Sequence, residues 1–529
     1  MPSLFLLIAF HLFSNTLWIN LNNIPPTWDA ALHTTISLRF LEYTQNHLTT
    51  FNLVDFLKIT DYYPPFVHWV GAILAMIGQG DWKTIEFSGT IFFIGAIIFL
   101  YFYTHELFKN HQIALYSSVF FSFFITVYQQ SRDHMLDVPL TALFLAGLYF
   151  LAKSDHFHKI TPTLTFFAVF ALAFLTKWYA VVYFSVPLLF VFVPIFREIK
   201  SRPHPLKNLI LGSLLFLIIT APWYLVNLPQ IIATTQITSQ PELADPQNLF
   251  SLNNLFFNLK LIIMFQLSFV GFLLLFPGIF FLVKSKDQSK NALLIISVLV
   301  FNYLFFTFIP NKNIRYLLPL MPFFAITMAF GLTKLPKLAR WAIVAYFVGT
   351  YLILSFGFPF LPKYKYTVDL PLLGPTDILY LHTYPVRVLY QNTSFSYDQI
   401  VADIAAVKMG QIKILLLKDT PNLNNGLLDP RFYQNVKTRQ DDFYYLGYDL
   451  TLGKDTNPQI ADFLAKNVDV AVVSTNYLGL REAIREFDTV EKYRQFFLTG
   501  QATNFVLIKT YSLPADDFSP ADTLLLYKK

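Results

Sequence analysis

The stretch REIKSRPHPLK, Arg197 to Lys207, decides how this chain is threaded. It lies between two apolar runs, 178–196 and 207–225, each near the ~20 residues that a helix needs to cross a bilayer. Short loops rich in Lys and Arg stay on the cytoplasmic side, so this loop fixes where its neighbours turn. Working outward, apolar segments of similar size occupy 3–21, 85–106, 112–130, 138–152, 161–176, 259–283, 291–309, 316–333 and 340–360. With the N-terminus inside, Lys109, Lys153, Lys159, Lys284, Lys286, Lys290, Lys334, Lys337 and Arg340 share the inner side with that loop. On the opposite side, 226–258 contains no Lys or Arg. The run FVHWVGAILAMIG, Phe66 to Gly78, is too short for a span, and counting it as one would carry REIKSRPHPLK outside. It is predicted to lie at the interface or to re-enter, within a first outer loop covering 22–84. The charges therefore predict about eleven spans over residues 1–360, with 361–529 outside the membrane.

Composition agrees with a polytopic α-helical membrane protein. Of 529 residues, 55% are hydrophobic and 14% charged, and the mean hydropathy is +0.48. The net charge of +6 is small for this length, and no basic run suggests a nucleic-acid partner. The absence of Cys excludes disulfides, Cys-ligated zinc and thiol catalysis. MPSLFLLIAFHLF at the start lacks a basic leader and a small-residue cleavage site, so it reads as a retained first span.

Beyond Leu361 the pattern changes. ILLLKD (Ile414 to Asp419), VDVAVVST (Val468 to Thr475), FVLIKTYSL (Phe505 to Leu513) and TLLLY (Thr523 to Tyr527) read as strands. YDQIVADIAAVKM and NPQIADFLAKN read as amphipathic helices between them. A small extracytoplasmic α/β domain over 361–529 is expected, and it carries no acid–base or metal motif of its own.

Under this topology the polar residues of the membrane part gather on one side. PPTWDAALH, Pro25 to His33, supplies Asp29 and His33, four residues apart and so on one face of a helix. SRDHMLD supplies Arg132, Asp133, His134 and Asp137. LTKWY supplies Lys177, and PNKNIRY supplies Lys312, Arg315 and Tyr316. Ionisable groups at span ends are functional candidates when they face a cavity. A carboxylate can take the proton of an attacking hydroxyl, and Lys or Arg can stabilise charge on a departing phosphate. A lipid-linked phosphosugar would present such a phosphate at this depth. Asp133, His134 and Asp137 could also hold a divalent metal ion. The plainer reading is that Asp29 and Asp137 begin helices and that the cations reach lipid headgroups.

WDAALH, YYPPFVHW (Tyr62 to Trp69), SRDHMLDVPL, LTKWY and KNIRYLLPLMP, taken in order, resemble the GT-C superfamily of polyprenyl-phosphate-sugar glycosyltransferases. That group includes the protein O-mannosyltransferases and the bacterial aminoarabinose transferases. The resemblance covers about residues 1–335. It implies transfer of a sugar from a polyprenyl-phosphate donor to an acceptor hydroxyl on protein, lipid or cell-envelope glycan, at the outer face and with inversion. It places Asp29 at the catalytic acidic position and Asp137 at the second acidic position. Lys177, Lys312 and Arg315 fall where cations handle the donor phosphate, with His33, Arg132, Asp133 and Tyr316 around the substrate. Two departures stand out. Ala30 follows Asp29 where many relatives carry Glu, and Tyr63 precedes Pro64 where aminoarabinose transferases carry Lys, which argues against transfer to lipid A. A lipid-linked-sugar transporter is the rival from another class; it would need ionisable residues or helix breaks at mid-membrane and two related halves. A glycan polymerase or ligase with a diphosphate-linked donor is the nearest rival among enzymes. An anchor would not need this many spans.

Overall fold

The computed structural model describes residues 2–198, 204–238, 248–310, 312–357, 365–380, 395–420, 422–433, 443–446, 456–479, 487–515 and 520–529. Lys200, Arg202 and the expected junction between 360 and 361 lie outside the described residues. The chain forms two compact units. The first comprises Met1–Asn20, Arg39–Met76 and Thr84–Leu389; the second comprises Leu21–Leu38, Ile77–Lys83 and Tyr390–Lys529.

Every apolar segment expected to span is helical. The helices are α1 (Pro2–Leu21), α2 (Trp28–Asn46), α3 (Leu53–Leu57), α4 (Phe66–Ile77), α5 (Trp82–Phe108), α6 (His111–Phe123), α7 (Ile125–Gln130) and α8 (Asp137–Lys153). They continue as α9 (Ile160–Phe174), α10 (Ala180–Glu198), α11 (His204–Thr238), α12 (Leu252–Leu261), α13 (Ser268–Lys284), α14 (Ser289–Phe308), α15 (Met321–Leu332) and α16 (Lys337–Phe356). By length and composition, 6 described helices can cross a membrane, or 7 if the bent pair α12–α13 is one span. Three shorter apolar helices add Phe66–Ile77, Ile160–Phe174 and Ala180–Pro194. This is a multi-pass membrane protein whose spans are often broken.

The breaks have local causes. Phe124 leaves the helical region (ψ 134°), so the expected segment 112–130 becomes two helices. Between α12 and α13 the chain bends by 113° after a π-helical turn, Ile262–Gln266, and Ser268 takes a positive φ of 62°. Irregular backbone at membrane depth survives where protein partners take up its polar groups. Here Thr126 Oγ1 donates to the Phe265 carbonyl at 2.6 Å, and Gln266 Nε2 donates to the Ile314 carbonyl at 2.7 Å. Elsewhere small residues let helices approach: a Cβ on Gly331 of α15 would stand 2.7 Å from Gly278 Cα of α13. One continuous apolar cluster, from Leu4 of α1 to Leu354 of α16, forms the core of the first unit.

Two strands of this unit were not anticipated: β1 (Lys365–Leu370) and β2 (Gly374–Tyr380) pair as an antiparallel hairpin. In the second unit, α17 (Tyr397–Ala405), α18 (Asn457–Asn467) and α19 (Phe487–Leu498) accompany β3 (Ile412–Leu417), β4 (Phe443–Tyr445), β5 (Val470–Ser474), β6 (Val506–Leu513) and β7 (Asp522–Lys528). The sheet order is β4-β3-β5-β7-β6. β3 runs parallel to β4 and β5, while β7 runs antiparallel to β5 and β6. The four expected strands are all present; only the three-residue β4 lacked a sequence signal. NPQIADFLAKN coincides with α18, which opens on a capping box between Thr456 and Gln459 with Pro458 in the first turn. Leu415, Leu417, Ile460, Leu464, Val473 and Phe497 form the core on one side of this sheet.

Candidate active site

The turn SRDHML between α7 and α8 is buried throughout, although turns carry backbone groups that normally need water. Neighbouring helices supply the partners. Asn15 of α1 donates to Ser131 Oγ at 2.8 Å, and Thr90 of α5 donates to the Ser131 carbonyl at 3.1 Å. Gly89 of α5 presses against the turn: a Cβ there would come within 2.5 Å of the Asp133 carbonyl oxygen. The turn is thereby fixed just ahead of Asp137, the first residue of α8.

Asp137 is 2% exposed and pairs with Lys177 at 2.7 Å. The side chain of Lys177, in the turn between α9 and α10, keeps 12% of its surface exposed and lies 4.5 Å from the centre of the Tyr316 ring. Tyr316 belongs to a 3-10 segment, Ile314–Leu320, which Asn313 starts by accepting from the Arg315 amide at 3.1 Å. The same Asn313 oxygen accepts from Arg315 Nε at 3.0 Å, and Arg315 NH1 lies 3.6 Å from Met135 Sδ. Tyr183 of α10 donates to the Tyr316 carbonyl at 2.6 Å. Asp137, Lys177 and Tyr316, predicted from three separate motifs, are thus in contact, and Arg315, next to Tyr316 in the chain, meets Met135, two residues before Asp137. Lys312 sits two residues before the 3-10 segment with its ammonium buried.

Arg132 and His134 of the same motif have other partners. Arg132 is 2% exposed; its Nε donates to Asn15, and NH2 donates to Tyr351 and Ser355 of α16, each at 2.9 Å or 3.0 Å. The rings of Trp18, Tyr128, Tyr351 and Phe356 surround its guanidinium. His134 shares a 2.6 Å hydrogen bond with Ser88, and its ring stands 6.2 Å from that of His68. Asp133 is 4% exposed. Among the described residues no three His, Asp or Glu are arranged to hold a metal ion, so Asp133, His134 and Asp137 do not make the cation site that their spacing allowed. Asp137 is instead occupied by a cation of the chain itself.

Asp29 and His33 belong to the second unit, in the first two turns of α2. The helix confirms that they share a face; Asp29 is half-buried and His33 is 2% exposed. Trp28, just before Asp29, has a positive φ of 45° and donates from its indole to Asp419 Oδ1 at 2.8 Å. Sequence reading missed this partner. The available signal was its position, since Asp419 ends the run ILLLKD and so stands beyond the carboxyl end of β3, where α/β sheets present functional groups.

A family model for dolichyl-phosphate-mannose-protein mannosyltransferase matches residues 63–225, which hold Asp137 and Lys177 but neither Asp29 nor Arg315. Among solved structures, ArnT from Cupriavidus metallidurans in the apo state is similar at 14% identity and a TM-score of 0.61, covering 98% of this chain and 97% of that one. The same protein bound to undecaprenyl phosphate is similar at 14% identity and a TM-score of 0.58, with the same coverage. No curated protein matches the chain by sequence. The likeness spans both the helical part and the α/β part. It is a likeness of fold.

Proposed function

We propose, from a chain with the fold of the GT-C membrane glycosyltransferases, that this protein moves a sugar from a polyprenyl-phosphate carrier to an acceptor hydroxyl. The observation that carries the reading is the cation cluster of the first unit. Lys177 is held by Asp137 against the Tyr316 ring, and Arg315, the residue before Tyr316, meets Met135 of the turn that leads into Asp137. An ammonium and a guanidinium suit phosphate oxygens by charge and hydrogen bonding, and they gain strength where water is scarce. The solved relative's binding of undecaprenyl phosphate supports a lipid-phosphate partner of this kind.

In this reading residues 1–360 form the membrane domain and 361–529 an extracytoplasmic domain, with the N-terminus cytoplasmic and the reaction at the outer face. The acceptor hydroxyl attacks the anomeric carbon as the bond from that carbon to the phosphate oxygen breaks. The hydroxyl proton passes to the Asp29 carboxylate. The electron pair leaves with the polyprenyl phosphate, whose growing charge Lys177, Lys312 and Arg315 offset. One displacement inverts the configuration, and no covalent enzyme intermediate forms. His33, Asp133 and Tyr316 are assigned to substrate binding, while Arg132, enclosed by α1 and α16, anchors the turn to which it belongs.

The test is transfer by the purified full chain from undecaprenyl-phosphate-linked hexoses and pentoses to envelope extracts. The wild type should transfer at least one sugar, and Asp29→Asn should lose ~100-fold or more in rate while remaining folded. Full activity in Asp29→Asn would refute the base assignment. Failure of the wild type with every donor would refute the donor class.

A further inference from the structure

The C-terminal α/β domain touches the start of α2 at three points, all within the second unit. The first is the 2.8 Å bond from the Trp28 indole to Asp419 Oδ1. The second is Gly426, where a Cβ would stand 2.6 Å from the Ala31 Cβ and 3.3 Å from the Trp28 amide nitrogen. The third is Thr35 Oγ1, which donates to Asp429 Oδ2 at 2.9 Å. Asp419, Gly426 and Asp429 therefore fasten one side of the first two turns of α2, and Asp29 lies within them.

The fastening carries strain at one residue. A bulky side chain at positive φ is an outlier that persists only where the surroundings over-determine it. Trp28 occupies that conformation while 46% exposed, with its indole tied by the hydrogen bond to Asp419. Asp419 is fixed in turn by the strand ends behind it. Its amide donates to the Leu478 carbonyl at 2.8 Å, and its neighbour Lys418 pairs with Asp522 at 2.8 Å with both side chains fully enclosed.

We propose that Asp419 is a positioning residue for Asp29, holding Trp28 in the left-handed conformation from which α2 starts and so setting where the base stands. The C-terminal domain thereby takes part in placing the base, within the second unit. This rests on the assignment of Asp29 as the base. Burial holds the Asp419 carboxyl above the usual carboxylate range, with the Trp28 bond pulling the other way. The charged group is kept in place at a cost to folding, which suits a role other than stability.

Two readouts on the full-length protein test the proposal, with Asp419→Ala, Asp419→Asn, Trp28→Phe and the double variant Trp28→Phe/Asp419→Ala. Amide exchange of Ala30, Ala31 and Leu32 should quicken at least tenfold in Asp419→Ala and stay near wild type in Asp419→Asn, whose amide oxygen still accepts the indole proton. That readout needs no substrate, so it decides the positioning of α2 even if the wild type transfers none of the donors tested. With whichever undecaprenyl-phosphate sugar the wild type uses, kcat should fall at least tenfold in Asp419→Ala and in Trp28→Phe with KM within twofold. The double variant should be no worse than the worse single variant. Unchanged exchange in Asp419→Ala, or equal loss of kcat in Asp419→Asn and Asp419→Ala, would overturn the proposal.

Discussion

Two lysine–aspartate pairs, one in each unit, make opposite use of the same chemistry. The side chains of Lys418 and Asp522 are 0% exposed. Lys418 also donates to the Tyr477 carbonyl at 2.6 Å, while Asp522 accepts from Ser474 Oγ at 2.5 Å and from the Asn476 amide at 2.9 Å. These bonds tie the end of β3 to the start of β7 and the turn after β5. Lys177 and Asp137 are equally close, and each lysine lies over a tyrosine ring, yet the Lys177 side chain keeps 12% of its surface exposed. A buried ion pair stabilises only if its other hydrogen-bonding positions are filled, as they are in the first case. In the proposed reading the second pair instead holds a partly exposed cation in a defined place. One pair is a fastener; the other, in the proposed function, is a mount.

The largest expected effect tests the fastener. Lys418→Met leaves Asp522 charged inside the domain, which should cost about 3–5 kcal/mol of stability for the second unit, measured by denaturant titration of the full chain. Burial pushes the Asp522 carboxyl up, but the bonds from Lys418 and Ser474 outweigh it and bring it below the usual carboxylate range. A depressed native value means that this stability is present above the unfolded value of about 4 and is lost as pH falls through the native one. The deficit of Lys418→Met should accordingly shrink in acid. A deficit that is the same at pH 7 and pH 3 would break the comparison.

Next comes the mount. Removing both of its charges together, Lys177→Met with Asp137→Asn, avoids stranding a buried carboxylate. The variant should stay folded and lose about 10²–10³-fold in kcat, the scale of one lost charge-stabilising group. Lys177→Met alone should add instability to that loss, because Asp137 then has no cation. If the double variant keeps its transfer rate, Lys177 is a second fastener and the contrast collapses.

The contrast also explains what the sequence disclosed. Span positions were largely legible because some twenty apolar residues in a row have few other uses, but the breaks within 112–130 and 259–283 were not, and 6 or 7 described helices are long and apolar enough to cross. Asp137 and Lys177 were legible as charges at span ends, but their pairing across 40 positions was not, since periodicity carries no long-range register. Arg132 and Asp133 look alike in SRDHMLD. Which of them turns toward α16 depends on Tyr351 and Ser355, more than two hundred residues away. The metal-like spacing of Asp133, His134 and Asp137 failed for the same reason, because Ser88 and Lys177 reached two of them first. Asp419 was hidden differently. Its partner is a tryptophan whose role depends on a backbone angle, and nothing in WDAALH marks Trp28 as left-handed.

The smallest effect separates holding from stabilising at Asp419. Its carboxyl titrates above the usual range because burial disfavours the charge, more than the Trp28 bond favours it. For an acid whose native value is raised, the native state binds the extra proton, so stability falls as pH rises from the unfolded value through the native one. Asp419→Asn removes that charge while leaving an oxygen for the indole. It should therefore raise the unfolding midpoint slightly at pH 7, on the order of 0.5 kcal/mol, and leave it unchanged below about pH 4. Asp522 should show the reverse: Asp522→Asn lowers the midpoint at pH 7, and that loss fades in acid. Opposite signs at two aspartates at the same end of one sheet would divide the carboxylates that build the domain from the one the domain holds out to α2. A stability loss in Asp419→Asn at pH 7 would place Asp419 with the fasteners.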